Sequence, residues 1–124
     1  MKRRSLLAMA ATMLGLSATA VRAAPSVGQP APAFSLTDTA GKTVQLADFR
    51  GRHVVLEWVN PGCPYVRKHY SSANMQGTQR DVTAQGVVWL AINSTENAST
   101  DYLAPAQMGR WMQGQQATAT HTLM

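Results

Sequence analysis

The rhythm of hydrophobic and polar positions changes several times along this chain. F-S-L at 34–36 and V-Q-L at 44–46 alternate apolar with polar side chains on either side of Thr39-Ala40-Gly41-Lys42. Period-two alternation around a glycine-containing turn predicts a β-hairpin. HVVLEWV, residues 53–59, is instead nearly continuous in apolar and β-branched residues, which predicts a strand covered on both faces. Asn60-Pro61-Gly62 ends it. Pro64 suits the first turn of a helix, where its missing N–H costs nothing, so a helix is expected from about Cys63. Val66, Tyr70 and Ala73 recur at helical spacing, while Ser71-Ser72-Ala73-Asn74 marks a break, with Asn74 as the expected cap of a second piece from Met75 to about Gln85. GVVWLAIN, residues 86–93, reads as a second fully apolar strand. Strand, helix and strand in that order imply a right-handed parallel crossover. After the polar loop NSTENASTDYLA, Pro105 opens another helix, whose Met108, Trp111 and Met112 share one face and are predicted to be core.

The amino terminus follows a different pattern. Lys2, Arg3 and Arg4 precede an apolar run from Leu6 to about Ala20 whose end is dominated by small residues, and Val21-Arg22-Ala23 precedes the expected cut. This is the layout of an export signal over residues 1–23, with Arg3-Arg4-Ser5-Leu6-Leu7 similar to a twin-arginine signal. The run is short for a transmembrane span, and no stable membrane anchor is expected after cleavage. The remaining 24–124 reads as one small domain, without internal repeats or a linker.

Cleavage also changes the charge. The chain carries 11 Lys and Arg against 6 Asp and Glu, a formal +5. Taking away Lys2, Arg3, Arg4 and Arg22 leaves seven cations against six anions, or +1. The basic balance therefore gives no support to a nucleic-acid partner, and none is expected.

Cys63 is the only cysteine. In an exported protein it cannot form an internal disulfide and is free, intermolecular or metal-bound. The element order puts it at the carboxyl end of a parallel strand and the amino end of the next helix, where open α/β sheets carry their chemistry. Free helix N–H groups and the backbone dipole favour an anion there, and a thiolate is such an anion. Arg67 and Lys68, one turn on, add positive charge, and Arg67 is the candidate thiolate stabiliser. The plainer alternative is a buried cysteine acting as a small hydrophobe. Glu57, inside the apolar strand six positions before Cys63, is either a proton acceptor beneath the thiol or a side chain on a wet strand edge. His69 is expected on an exposed helix face, His53 at a strand start and His121 in the tail. Cys63 and His69 supply no convergent zinc ligand set, so neither a metal nor a cofactor is expected.

Residues 25–66, PSVGQPAPAFSLTDTAGKTVQLADFRGRHVVLEWVNPGCPYV, resemble the amino-terminal half of an exported redoxin of the alkyl hydroperoxide reductase/thiol-specific antioxidant type. The motifs are V-G-x-x-A-P-x-F from Val27 to Phe34, D-x-x-G-K-x-V-x-L from Asp38 to Leu46, and EWVNPGCPYVRKHY. The resemblance implies an α/β, thioredoxin-like fold: an N-terminal hairpin plus a βαβ crossover. It implies thiol oxidoreductase or peroxidase activity in the periplasm or outside the cell, with Cys63 at the reactive-cysteine position and Glu57 at that of a buried acid. The implied partners are an external thiol reductant or a client thiol protein, with peroxide as a possible substrate.

Two departures qualify it. Val66 replaces the second cysteine of a C-x-x-C pair, and Asn60 stands where a peroxiredoxin carries threonine or serine. What survives is a single nucleophile that cannot resolve its own mixed disulfide. The chain also stops at HTLM, where relatives continue into an antiparallel strand pair and a closing helix, so the C-terminal ββα part is expected to be missing, leaving an apolar edge on the 53–59 strand. Two other readings stay open: a binding module holding a metal or client thiol through Cys63, and an inactive truncated remnant.

Overall fold

The computed structural model describes residues 25–124, and the expected export signal lies outside the described residues. The chain divides into two units, Met1–Ala31 and Pro32–Met124. Within the first, Gln29 N–H donates to Ser26 O at 3.1 Å and closes a turn. All regular elements belong to the second.

The hairpin forms where alternation predicts it. β1 (Ser35–Thr37) pairs antiparallel with β2 (Thr43–Gln45), Leu36 opposite Val44. Asp38 organises the turn: its Oδ1 accepts the N–H groups of Ala40 and Lys42, each at 2.9 Å, and Gly41 takes the left-handed backbone (φ +85°) that favours glycine. A 3-10 turn, Leu46–Phe49, then buries Phe49.

β3 (Val54–Trp58), β4 (Val88–Ile92) and β5 (His121–Leu123) form a parallel sheet in the order β3-β4-β5. Every residue of central β4 is buried, as its unbroken apolar run predicts. Alternation along the strands makes two cores. One face carries Val88, Leu90, Ile92 and Leu123 against Val44 and Phe49, with Val54 at its margin. The other carries Val59 and Ala91 against Met108 and Met112. The expectation of cover on both faces fails for β3. Among the described residues it pairs with β4 alone, and Leu56 (37 % exposed) and Trp58 (62 %) stand outside both cores.

The crossover from β3 to β4 contains α1 (Pro64–Ser71) and α2 (Asn74–Ala84). The break falls where expected, but the cap differs. Ala73, in left-handed backbone (φ 57°), precedes α2, and Asn74 is its first residue, with Nδ2 3.1 Å from Nδ1 of half-buried His69. α3 (Pro105–Gly114) buries Met108 and Met112 and leaves Trp111 half-buried.

α3 then leads into β5, a strand where the sequence predicts only a tail. It pairs parallel with β4, His121 opposite Leu90 and Leu123 opposite Ile92. β5 also joins the hairpin: Thr39 N–H donates to Thr122 O, and Met124 N–H to Thr37 O, both at 2.9 Å. His121 is therefore placed in the sheet, with Nδ1 3.1 Å from Asp38 Oδ2.

Burial raises the Asp38 carboxyl pKa. The Lys42 N–H, His121 as hydrogen-bond partner, the Ala40 N–H and the His121 charge oppose it, and the net result lies below the ordinary 3.8. A lowered folded-state value means that this stabilisation is present above about pH 4 and is lost as pH falls through the folded value. Asp38→Asn should cost about 1–3 kcal/mol at pH 7 and should flatten the loss of stability in acid. Urea unfolding between pH 3 and 7 measures both, and an unchanged acid limb in the variant would refute the assignment.

Candidate functional site

The site begins where β3 stops. Val59 N–H donates to Ile92 O at 2.8 Å, the last rung toward β4. Asn60 then builds the turn from both ends of its residue: Oδ1 accepts Gly62 N–H at 2.8 Å and its backbone carbonyl accepts Cys63 N–H at 2.9 Å. A hydroxyl in its place would have to reproduce that Asx turn. Cys63 is the N-cap of α1, in extended backbone with Pro64 following, and its carbonyl accepts Arg67 N–H at 3.0 Å. No acidic residue occupies the first turn of α1.

The half-buried free thiol opens on a groove of about 570 Å³ at the carboxyl ends of β3 and β4. Trp58, Val59, Val66 and Ile92 form its apolar wall. Ser94, Thr95, Glu96 and Ser99, from the loop after β4, form its polar wall. Val66, where a second cysteine would stand, lines this groove and also packs against the core cluster of Val59, Ala91, Met108 and Met112. The Asp101 carboxylate lies directly against Gly62, occupying the space a Cβ there would need. Sequence reasoning missed Trp58, Glu96 and Asp101. A usable signal was present: parallel strands bring the loop after β4 to the same end of the sheet as Cys63.

Glu57 is half-buried and has three donors. Trp89 Nε1–H donates to Oε2 at 2.7 Å, Tyr70 O–H to Oε1 at 3.0 Å, and Gln79 Nε2–H to Oε2 at 3.2 Å. These partners come from β4, α1 and α2, and none carries a positive charge. Gln79 also donates to the Tyr70 oxygen at 3.0 Å and accepts Thr118 N–H at 2.9 Å. The Tyr70 phenol is pushed far above its ordinary value by burial and then by the Glu57 charge and hydrogen bond, against a smaller opposing effect from Gln79. It therefore stays a neutral donor at any ordinary pH. Among the described residues no side-chain hydrogen bond joins Cys63 to Glu57 or Arg67, and neither lines the groove. Arg67 is exposed, one turn along α1. No three of His, Cys, Asp and Glu come together as a metal ligand set among the described residues.

The thiol-disulfide oxidoreductase ResA of Bacillus subtilis is 33 % identical over 72 residues, which is 58 % of this chain and 39 % of the relative. The chain thus spans well under half the length of that relative. A thioredoxin-family thiol:disulfide interchange protein from Chlorobium tepidum superposes with a TM-score of 0.60 at 21 % identity, over 82 % of this chain and 63 % of that one. A hypothetical protein from Sinorhizobium meliloti gives 0.69 at 20 %, over 82 % and 54 %. At these identities the structures show a shared α/β, thioredoxin-like fold. The family model described as AhpC/TSA matches residues 27–122, and so covers both the hairpin motif and the Cys63 turn. The chain belongs to the AhpC/TSA family.

Proposed function

We propose that this protein is a thiol-disulfide oxidoreductase acting through Cys63 alone. The observation that carries the reading is the free, half-buried thiol at the N-cap of α1, facing an open groove. First-turn N–H groups without intrahelical acceptors favour the anionic sulfur. The thiolate attacks one sulfur of a disulfide, the Cys63 Sγ–S bond forms, the original S–S bond breaks, and the other sulfur leaves as a thiolate. With Val66 in place of a resolving cysteine, an external thiol must release the product by a second exchange. The partners are thus a client thiol protein and an external thiol reductant.

Arg67 adds positive charge beyond the first turn. Glu57 holds α1, through Tyr70, against α2 and β4 rather than taking the thiol proton, since it accepts from Tyr70, Gln79 and Trp89 and does not line the groove. The export pattern at residues 1–23 supports a periplasmic or secreted protein.

Membership of the AhpC/TSA family favours a second reaction at the same sulfur. There the thiolate attacks a peroxide oxygen, an alcohol or water leaves, and the Cys63 sulfenic acid condenses with an external thiol, releasing water.

Mass spectrometry after incubation with a neutral disulfide should show one adduct on Cys63, removed by dithiothreitol and absent from Cys63→Ser. A folded chain that stays unmodified would refute the proposal.

A further inference from the structure

We infer that the Cys63 groove selects its disulfide by charge, taking one that carries an ammonium or guanidinium beside the reacting sulfur. The inference rests on the thiol-exchange reading and names the substrate class of that same site. Two features of different kinds in the groove wall point to a cation. Trp58, 62 % exposed, is one of the residues lining the groove, and tryptophan is the aromatic side chain that attracts cations most strongly. Glu96 is the single charged side chain among the lining residues. Asp101, outside the groove lining as Arg67 and Lys68 are, places a second carboxylate against Gly62, immediately before Cys63. Neither carboxylate has an ion-pair partner among the described residues, where the one such pair is His121 with Asp38.

The opposing charges are Arg67 and Lys68. Both are exposed on α1 and neither lines the groove. The helix terminus acts on the sulfur itself, which is common to every disulfide. A cationic group arriving with the disulfide would therefore meet Trp58 and the Glu96 carboxylate, whereas an anionic one would meet that carboxylate as like charge. The chemical step is unchanged: the Cys63 Sγ–S bond forms, the incoming S–S bond breaks, and an aminothiol leaves as its thiolate. The disulfide is the only oxidant needed.

The test compares second-order rate constants for Cys63 with cystamine, dithiodipropionate and bis(hydroxyethyl) disulfide, which are cationic, anionic and neutral. They are measured on the folded chain and on the same chain in urea, at low salt. The ratio of cystamine to dithiodipropionate should be about tenfold larger in the folded chain than in urea and should shrink as salt is added. Glu96→Gln and Trp58→Leu should each move the ratio toward the urea value. Equal ratios in the folded and urea forms would overturn the inference, as would a raised ratio that survives both substitutions. If the folded chain leaves even the neutral disulfide unreacted while the urea form reacts, the exchange reading falls and takes this inference with it. The neutral disulfide thus separates the two failures.

Discussion

Glu57→Ala should lower unfolding free energy by about 3–5 kcal/mol. The carboxylate receives Trp89 Nε1–H, Tyr70 O–H and Gln79 Nε2–H. All three donors sit on buried residues, Gln79 with no exposed surface at all. A buried donor left without an acceptor costs roughly 1–3 kcal/mol. Gln79 and Tyr70 would keep their mutual bond, so the losses fall short of three full penalties. Trp89 would keep nothing equivalent. Glu57→Gln preserves the shape and one acceptor oxygen, and should cost about half as much. Urea unfolding followed by the tryptophan signal gives both values. A loss below about 1 kcal/mol for the alanine variant would mean that these bonds do not hold α1, α2 and β4 together.

Val66→Cys should convert a thiol that needs outside help into one that resolves itself. Positions 63 and 66 stand three residues apart across the first turn of α1, where side chains are neighbours and disulfide spacing is attainable. In the native chain the Cys63 mixed disulfide should persist until an external thiol is added. In the variant, the introduced thiol would attack it intramolecularly, at an effective concentration far above any added reductant. Release should then be at least about a hundredfold faster than with millimolar external thiol, and the product should be an internal disulfide. Quenched-flow mass spectrometry distinguishes the two species. An adduct in the variant as long-lived as the native one would show that residue 66 does not face the Cys63 sulfur. Val66 packs on the Met108 core, so part of its volume must be kept, and cysteine keeps most of it.

The hairpin, both long strands, the start of α1 and the place of Cys63 were legible because each depends on nearby residues. Alternation around Gly41, an unbroken apolar run and Pro64 after Gly62 are local signals. What was not legible depends on distant partners. His121–Leu123 is too short to show a period, and its pairing with β4 and the hairpin makes it a strand. The donors of Glu57 lie 13, 22 and 32 residues away in the chain, so neither alternative read from the sequence, proton acceptor or wet edge, anticipated them. The cap at Ala73 was missed because its left-handed backbone is one that residue type rarely adopts. The parallel crossover already brings the polar loop after β4 to the Cys63 end of the sheet, but which of its residues line the groove depends on how that loop folds back.

The turn from β3 into α1 should make Cys63 a reactive thiol. The most direct test is the rate of iodoacetamide alkylation at pH 7, for the folded chain and for the same chain in urea. Alkylation should be faster when folded, because the helix terminus that favours the thiolate exists only then. Alkylation at the same rate or more slowly in the folded chain would contradict it.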